Sequence, residues 1–263
     1  MNRMEITFYK YQGTGNDFVI LDNRDGGYST ITEDQVKLLC DRKFGIGADG
    51  LMLLETIEGF DFRMKYFNAD GKEGSMCGNG GRCLVQFAKD MGISSSHYHF
   101  LAVDGPHEAE IDSKGLIRLK MKDVNAIASD GTDKVLDTGS PHYIRFMDDL
   151  NHLDVFTEGR KIRYNNQYRE KGINVNFVFR DNDGIRVRTY ERGVENETLS
   201  CGTGVTASAI AASNGIGQQH VFINVEGGKL EVAFNRIDEQ HCNNIWLIGP
   251  ATFVFSGKIS LSL

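Results

Sequence analysis

Two segments of the chain, Met76-Cys77-Gly78-Asn79-Gly80 and Ser200-Cys201-Gly202-Thr203-Gly204, repeat one another 124 positions apart. Further pairs follow in the same order at nearly the same offset: Gly92-Ile93 with Gly215-Ile216, and Val103-Asp104-Gly105 with Val225-Glu226-Gly227. Upstream, Gly15-Asn16-Asp17-Phe18-Val19-Ile20 has a looser echo in Gly139-Ser140-Pro141-His142-Tyr143-Ile144. One coincidence of this kind would mean little. Four in order point to an internal duplication, which restricts the fold to two similar units.

The first half reads as strands ITFYKYQ and DFVILDN around the turn Gly13-Thr14-Gly15-Asn16, then a helix in TEDQVKLLCDRK capped by Thr32. Strands LMLLET and DFRMKYFNADG follow, then a glycine-rich turn, a helix in RCLVQFAKDMG, and strand segments FLAVDG, HEAEID and LIRLKM. The second half repeats this order: GIRVRTYERG alternates as a strand, SCGTG makes the turn, VTASAIAASNG is a small-residue helix, and VFINVEGG, LEVAFN and IWLIG are strands. Periodicity lapses over residues 118 to 132, which marks the join. The expected class is α/β (α+β), with an N-terminal domain of residues 1–120 completed by 251–263 and a C-terminal domain of residues 121–250.

Composition narrows the function. With 263 residues, 40% hydrophobic and 25% charged, the chain is long enough to bury a real core. A formal net charge of -7 argues against a nucleic-acid or anionic-membrane partner and favours a small molecule. The opening MNRMEITFYK lacks the apolar core of a signal peptide, and no apolar run reaches the roughly 18 residues of a membrane span, so a cytoplasmic location is expected. Five cysteines are few and odd in number, and no CxxC or HxxxH pair occurs; neither a disulfide framework nor a metal site is expected. Gly45-Ile46-Gly47-Ala48-Asp49-Gly50 fits GxGxxG, but a helix precedes it and a strand follows, the reverse of a dinucleotide site, so it reads as a turn.

The duplicated cysteines carry the chemistry. At a helix N-terminus, unpaired N–H groups and the positive end of the dipole lower the energy of a thiolate, and flanking glycines let the same amides approach a carboxylate. If the halves are related by an approximate two-fold axis, Cys77 and Cys201 would stand on either side of one ligand. One would remove a Cα proton and the other would return a proton to the opposite face. Cys40, Cys83 and Cys242 read as core filler. A reversible disulfide between Cys77 and Cys201, acting as a redox switch, is the rival reading from a different class.

These residues resemble the diaminopimelate epimerase family, within the cofactor-independent two-cysteine racemases and epimerases that also include proline racemase. The likeness lies in KYQGTGNDFVILDN, FNADGKEGSMCGNGGRC, GSPH at Gly139 to His142, GINVNFV from Gly172, and YERGVENETLSCGTG, and spans nearly the whole chain. It implies two pseudo-symmetric domains, each a curved mixed or antiparallel sheet around a central helix, with the active site in the interdomain cleft. It implies epimerisation of LL-2,6-diaminopimelate to the meso form on the way to lysine and peptidoglycan precursor, without a cofactor or metal, in a homodimer. Proline or hydroxyproline racemisation is the alternative within the same architecture. By the resemblance, Cys77 and Cys201 are the catalytic pair. Asn16, Asn68, Gly78, Asn79, Asn174, Glu191, Arg192, Gly202 and Thr203 bind substrate, and His142 and Glu191 tune the acidity of the thiols. The sequence departs from many relatives at Gly50, where they have Gln, and at Ser140, where they have Asn.

Overall fold

The computed structural model describes residues 3–262. The chain forms two compact units, one made of the residues up to Leu119 together with those from Pro250 onward, the other of Lys120–Gly249.

In the first unit, β1 (Arg3–Gly13) and β2 (Asn16–Asp22) form an antiparallel hairpin. Its two-residue turn, Thr14 and Gly15, has φ of 51° and 85°, the primed geometry that matches the twist of paired strands. Helix α1 (Glu33–Cys40) starts in a capping box, in which Thr32 Oγ1 accepts from Gln35 N and Gln35 Oε1 accepts from Thr32 N. Its Val36, Leu39 and Cys40 join a buried cluster with Ile6, Val19, Leu21 and Leu51. Strand β3 (Gly50–Glu55) lies parallel to β2, and β4 (Phe62–Asn68) antiparallel to β3. After α2 (Gly78–Asp90), β5 (His97–Ala102) pairs parallel with β4, and β6 (Gly105–Ile111) and β7 (Ile117–Lys120) extend the sheet antiparallel.

The second unit repeats this path. Strands β8 (Ile127–Asp130), β9 (Asp133–Asp137) and β10 (Pro141–Phe146) lead to α3 (Val155–Arg163). Then come β11 (Asn174–Asp181), β12 (Gly184–Glu191), a short β13 (Asn196–Thr198) and α4 (Gly202–Ala212), followed by β14 (Gly217–Val225), β15 (Gly228–Arg236) and β16 (Cys242–Gly249). Finally β17 (Thr252–Ser262) returns to the first unit and pairs antiparallel with β1, as β8 does with β9.

The duplication extends to register. Phe18 faces Gly50 in the parallel pair β2–β3, and His142 faces Asn174 in β10–β11, each residue displaced by 124 positions. Phe62 faces Phe100 in β4–β5, and Ile185 faces Ile223 in β12–β14, each displaced by 123. Each unit thus wraps a mixed sheet around one helix: α2 packs on β1 to β4 and β17, and α4 on β9 to β12 and β14 to β16. Every residue of α4 except Thr203 is buried, as its all-round small and apolar sequence requires.

Three details differ from the sequence expectation. Both central helices begin at the glycine after the cysteine, so GNGG and GTG form first helical turns and not preceding loops. The join that lacks periodicity contains strand β8, which forms an antiparallel hairpin with β9 just beyond it. Helix α3 is missing from the sequence reading, although Asp154 caps it by accepting from Thr157 N and basic residues fill its last turn; Gly159 interrupts its pattern, and a Cβ there would lie 2.4 Å from Tyr190 Cβ, so the helix packs on β12 only with glycine at that point.

Candidate active site

Cys77 and Cys201 are the N-cap residues of α2 and α4, both with extended backbone (φ -98°, ψ 131° and φ -120°, ψ 110°). The first intrahelical bonds run from Gly81 N to Cys77 O (2.7 Å) and from Val205 N to Cys201 O (2.8 Å). The three amides before each of these, at residues 78 to 80 and 202 to 204, therefore have no partner within the helix. No acidic residue stands in either first turn, so no carboxylate of the helix opposes an anion there.

In the first unit, a polar chain leads to Cys77. Asn16, first residue of β2, donates through Nδ2 to Asp49 Oδ2 (2.6 Å) and accepts at Oδ1 from Asn79 Nδ2 (3.2 Å) and from Cys77 Sγ (3.6 Å). Arg42 joins Asp49 (2.8 Å) to Asp17 (2.7 Å), and buried Lys10 also pairs with Asp17 (2.6 Å). Burial raises the Asp17 carboxyl, but Arg42 and Lys10 outweigh it and hold the group down at about 2. Asn68 ends β4 opposite Gly50 and, among the described residues, is not hydrogen-bonded into this chain through its side chain. Gly50 leaves no room for a larger residue, since a Cβ would lie 2.5 Å from the Tyr66 ring and 2.6 Å from Phe67 O.

The second unit gathers its residues differently. Asn174 donates to Ser140 Oγ (2.9 Å) and Pro141 O (3.1 Å) and accepts from the Arg192 amide (2.9 Å). Arg192 also donates to Ser140 Oγ (3.2 Å), so this one serine holds both neighbours. Glu191 accepts from Thr198 Oγ1 (2.9 Å), and Cys201 Sγ lies 3.5 Å from Thr203 Oγ1. Thr138 Oγ1 fixes the Thr203 carbonyl at 2.8 Å. His142 is wholly buried, and burial, reinforced by the charge of Arg192, pushes it down to about 3, so the ring is neutral.

Arg82, which sequence reasoning passed over, lies one turn into α2 and is wholly buried. Its guanidinium donates to Asn79 Oδ1 (3.0 Å), Thr14 Oγ1 (3.3 Å), Gly78 O and Pro250 O (both 3.4 Å), all neutral acceptors. It sets the Asn79 amide so that Nδ2 faces Asn16, and it brings a buried positive charge to the helix that Cys77 caps. The signal was present in CGNGGRC, where a cation follows the glycines on a helix that is otherwise inside.

The remaining cysteines are inert: burial pushes the Cys40 and Cys83 thiols up to about 12 and raises Cys242. The GxGxxG loop has its amides occupied, since Ile46 and Gly47 N donate to Leu39 O and Ala48 N to Cys40 O. Among the described residues, no group of three His, Cys, Asp or Glu side chains could hold a metal ion, and no helix is long and apolar enough to cross a membrane.

Comparison with known proteins agrees with this architecture. The solved structure of a PhzF-family phenazine biosynthesis protein from Bacillus anthracis superposes with a TM-score of 0.70 at 15% identity, over 97% of this chain and 99% of that one. A hydroxyproline epimerase from Agrobacterium vitis, solved with bound trans-4-hydroxy-L-proline, gives 0.69 at 14% identity, over 99% and 93%. At such identities the likeness is one of fold. Sequence relatives are much nearer. Diaminopimelate epimerase from Flavobacterium psychrophilum is 50% identical over 97% of this chain and 100% of its own length, and that from Chlorobaculum tepidum 44% over 95% and 99%. The family model for diaminopimelate epimerase matches residues 8–127 and again 134–254. The chain belongs to the diaminopimelate epimerase family of isomerases.

Proposed function

We propose that the protein converts LL-2,6-diaminopimelate to the meso form by two-base proton transfer at the α carbon, with Cys77 and Cys201 as the acid/base pair and no cofactor. The observation that carries this reading is the repeated N-cap cysteine: each unit sets one thiol at the start of a helix whose first three amides have no intrahelical partner. A thiolate removes the Cα proton, negative charge spreads onto the substrate carboxylate, and the other thiol donates to the opposite face, inverting the centre. Without an electron sink, that charge must be met by preorganised donors. The amides at Gly78, Asn79, Gly202 and Thr203 serve as those donors. Asn16, Asn68, Asn174, Glu191 and Arg192 hold the amino and carboxylate groups, and His142 and Glu191 tune the thiols.

Relatives at 50% and 44% identity favour diaminopimelate over proline or hydroxyproline as substrate. Family membership supports a place in lysine and peptidoglycan-precursor synthesis, a cytoplasmic location, and a homodimer. For the last, the half-exposed Phe253, Val254 and Phe255 of β17 offer an apolar surface.

The test is incubation with LL-diaminopimelate in heavy water, without pyridoxal phosphate or added metal. The inverted carbon should acquire solvent deuterium. No exchange, or inversion of proline or hydroxyproline alone, overturns the reading.

A further inference from the structure

Beneath the first turn of α4 lies a buried polar row. Asn176 Nδ2 approaches the Tyr143 carbonyl at 3.2 Å and His142 Nδ1 at 3.1 Å, and Asn176 Oδ1 accepts from Thr189 Oγ1 at 2.9 Å. A carbonyl oxygen only accepts, so the amide end that meets Tyr143 O is the NH2 group. The same NH2 must then donate to His142 Nδ1, which leaves the proton of the neutral ring on Nε2. His142 Nε2 is buried and, among the described residues, has no hydrogen-bond partner. His142 Cε1, bonded to Nε2, would lie 3.3 Å from a Cβ at Gly204, and Asn176 Oδ1 2.4 Å. Glycine at 204 therefore lets the row sit directly under the turn that Cys201 caps.

The duplication supplies an internal control. At the offset of the two units, His142 corresponds to Phe18, Asn176 to Met52 and Gly204 to Gly80. A Cβ at Gly80 would meet Met52 Sδ at 3.3 Å and Phe18 Cζ at 3.5 Å. The same joint between helix and sheet is thus made in the first unit by apolar side chains alone, Met52 and Phe18 with Met64 beside them, all buried. The fold does not need polar groups there. Burying an amide, a hydroxyl and an imidazole at one copy of the joint is unfavourable unless their bonds are kept, and one donor is left over.

We propose that Asn176 is a positioning residue: with Thr189 behind it, it locks His142 as the tautomer whose proton is on Nε2, and that N–H is the reserve donor for negative charge at Cys201. The assignment rests on the reading of Cys201 as an acid/base residue. It makes the two thiols unequal by construction, since the corresponding place in the first unit holds Phe18, which donates nothing. An Nε2–H directed to a thiolate stabilises it without adding a net charge to the buried interior.

The experiment is nitrogen-15 NMR of histidine-labelled protein together with steady-state kinetics. Wild-type His142 should show a protonated Nε2 and a bare Nδ1 at neutral pH; a protonated Nδ1 overturns the proposal whatever the kinetics show. Asn176→Asp accepts from Nδ1–H and should move the proton to Nδ1. Asn176→Met copies the first unit and avoids burying a new charge. Each should lower kcat by about tenfold or more while KM changes less than about threefold; wild-type kcat in Asn176→Met overturns the proposal. Should Cys201→Ser retain full turnover, the epimerase reading itself fails, whereas the tautomer of His142 and its loss on substitution of Asn176 are measured without turnover.

Discussion

Asn16 is oriented by Asp49: the 2.6 Å bond from Nδ2 to the carboxylate leaves Oδ1 as the face turned to Asn79 and Cys77. An unsupported asparagine can present either end of its amide, and the two ends offer opposite chemistry. Asp49 is itself held by Arg42, at the surface end of the chain. Replacing Asp49 by alanine frees Asn16 to rotate and removes a charge-assisted bond. We expect kcat/KM to fall about 10- to 100-fold, with thermal unfolding little changed because the carboxylate is half-exposed. Asp49→Asn, which still offers an acceptor, should recover most of the loss. Steady-state assays with LL-diaminopimelate check both.

Cys77→Ser and Cys201→Ser test the pair directly. Serine keeps the shape of the N-cap, but its hydroxyl is far weaker as an acid and cannot form an appreciable anion at neutral pH. Each variant should lose epimerisation by at least about 10³-fold while far-ultraviolet circular dichroism and melting stay close to wild type. Full activity in either variant would rule out the two-base mechanism. A redox switch built from the same cysteines predicts no turnover even in the wild type.

Among the described residues, Arg82 bonds only neutral acceptors, from the hairpin turn, the start of α2 and Pro250. Arg82→Met removes a buried cation, and with it the guanidinium bonds that Asn79 Oδ1, Thr14 Oγ1 and Pro250 O accept. The expected loss of stability is on the order of 3 kcal/mol, read from urea unfolding. Arg82→Lys should recover only part, because an ammonium on a flexible stem cannot reproduce the planar fork. If the charge serves Cys77 as well as the fold, Arg82→Lys retains more activity than its stability alone would suggest.

What the sequence revealed, and what it hid, follows from how each signal is encoded. The Cys-Gly segments and the strand alternation are local patterns, so the repeat and the positions of Cys77 and Cys201 at helix starts were readable. The sequence pattern places the helix starts later than the structure does because glycine has low helix propensity, a preference that packing of α2 and α4 inside their sheets overrides. Helix α3 stayed hidden for a related reason, since Gly159 answers to Tyr190, which is distant in sequence. The support for Asn16 by Asp49 crosses 33 residues, and Asn176 meets His142 across 34. In NVNFVF, Asn176 is only a polar residue in a strand; its burial comes from α4 above it, which no local pattern announces.

His142 gives the molecule a dependence on pH that can be separated from that of its carboxylates. Burial, and then the charge of Arg192, lower the folded-state value to about 3, whereas an unfolded histidine takes up its proton near its ordinary 6.5. Between these values the unfolded chain binds one more proton than the folded chain, so stability rises with pH through the window and is lost as pH falls below about 6.5. The slope from one such group is at most about 1.4 kcal/mol per pH unit. His142→Phe places at this joint the residue that Phe18 supplies in the first unit, with no proton to take up. Urea unfolding of both proteins between about pH 6.5 and pH 5, above the range where most carboxylates titrate, should show a slope in the wild type that is smaller by about one proton in the variant. Equal slopes would mean that His142 accepts a proton in the folded protein, and the neutral ring beneath α4 would have to be given up.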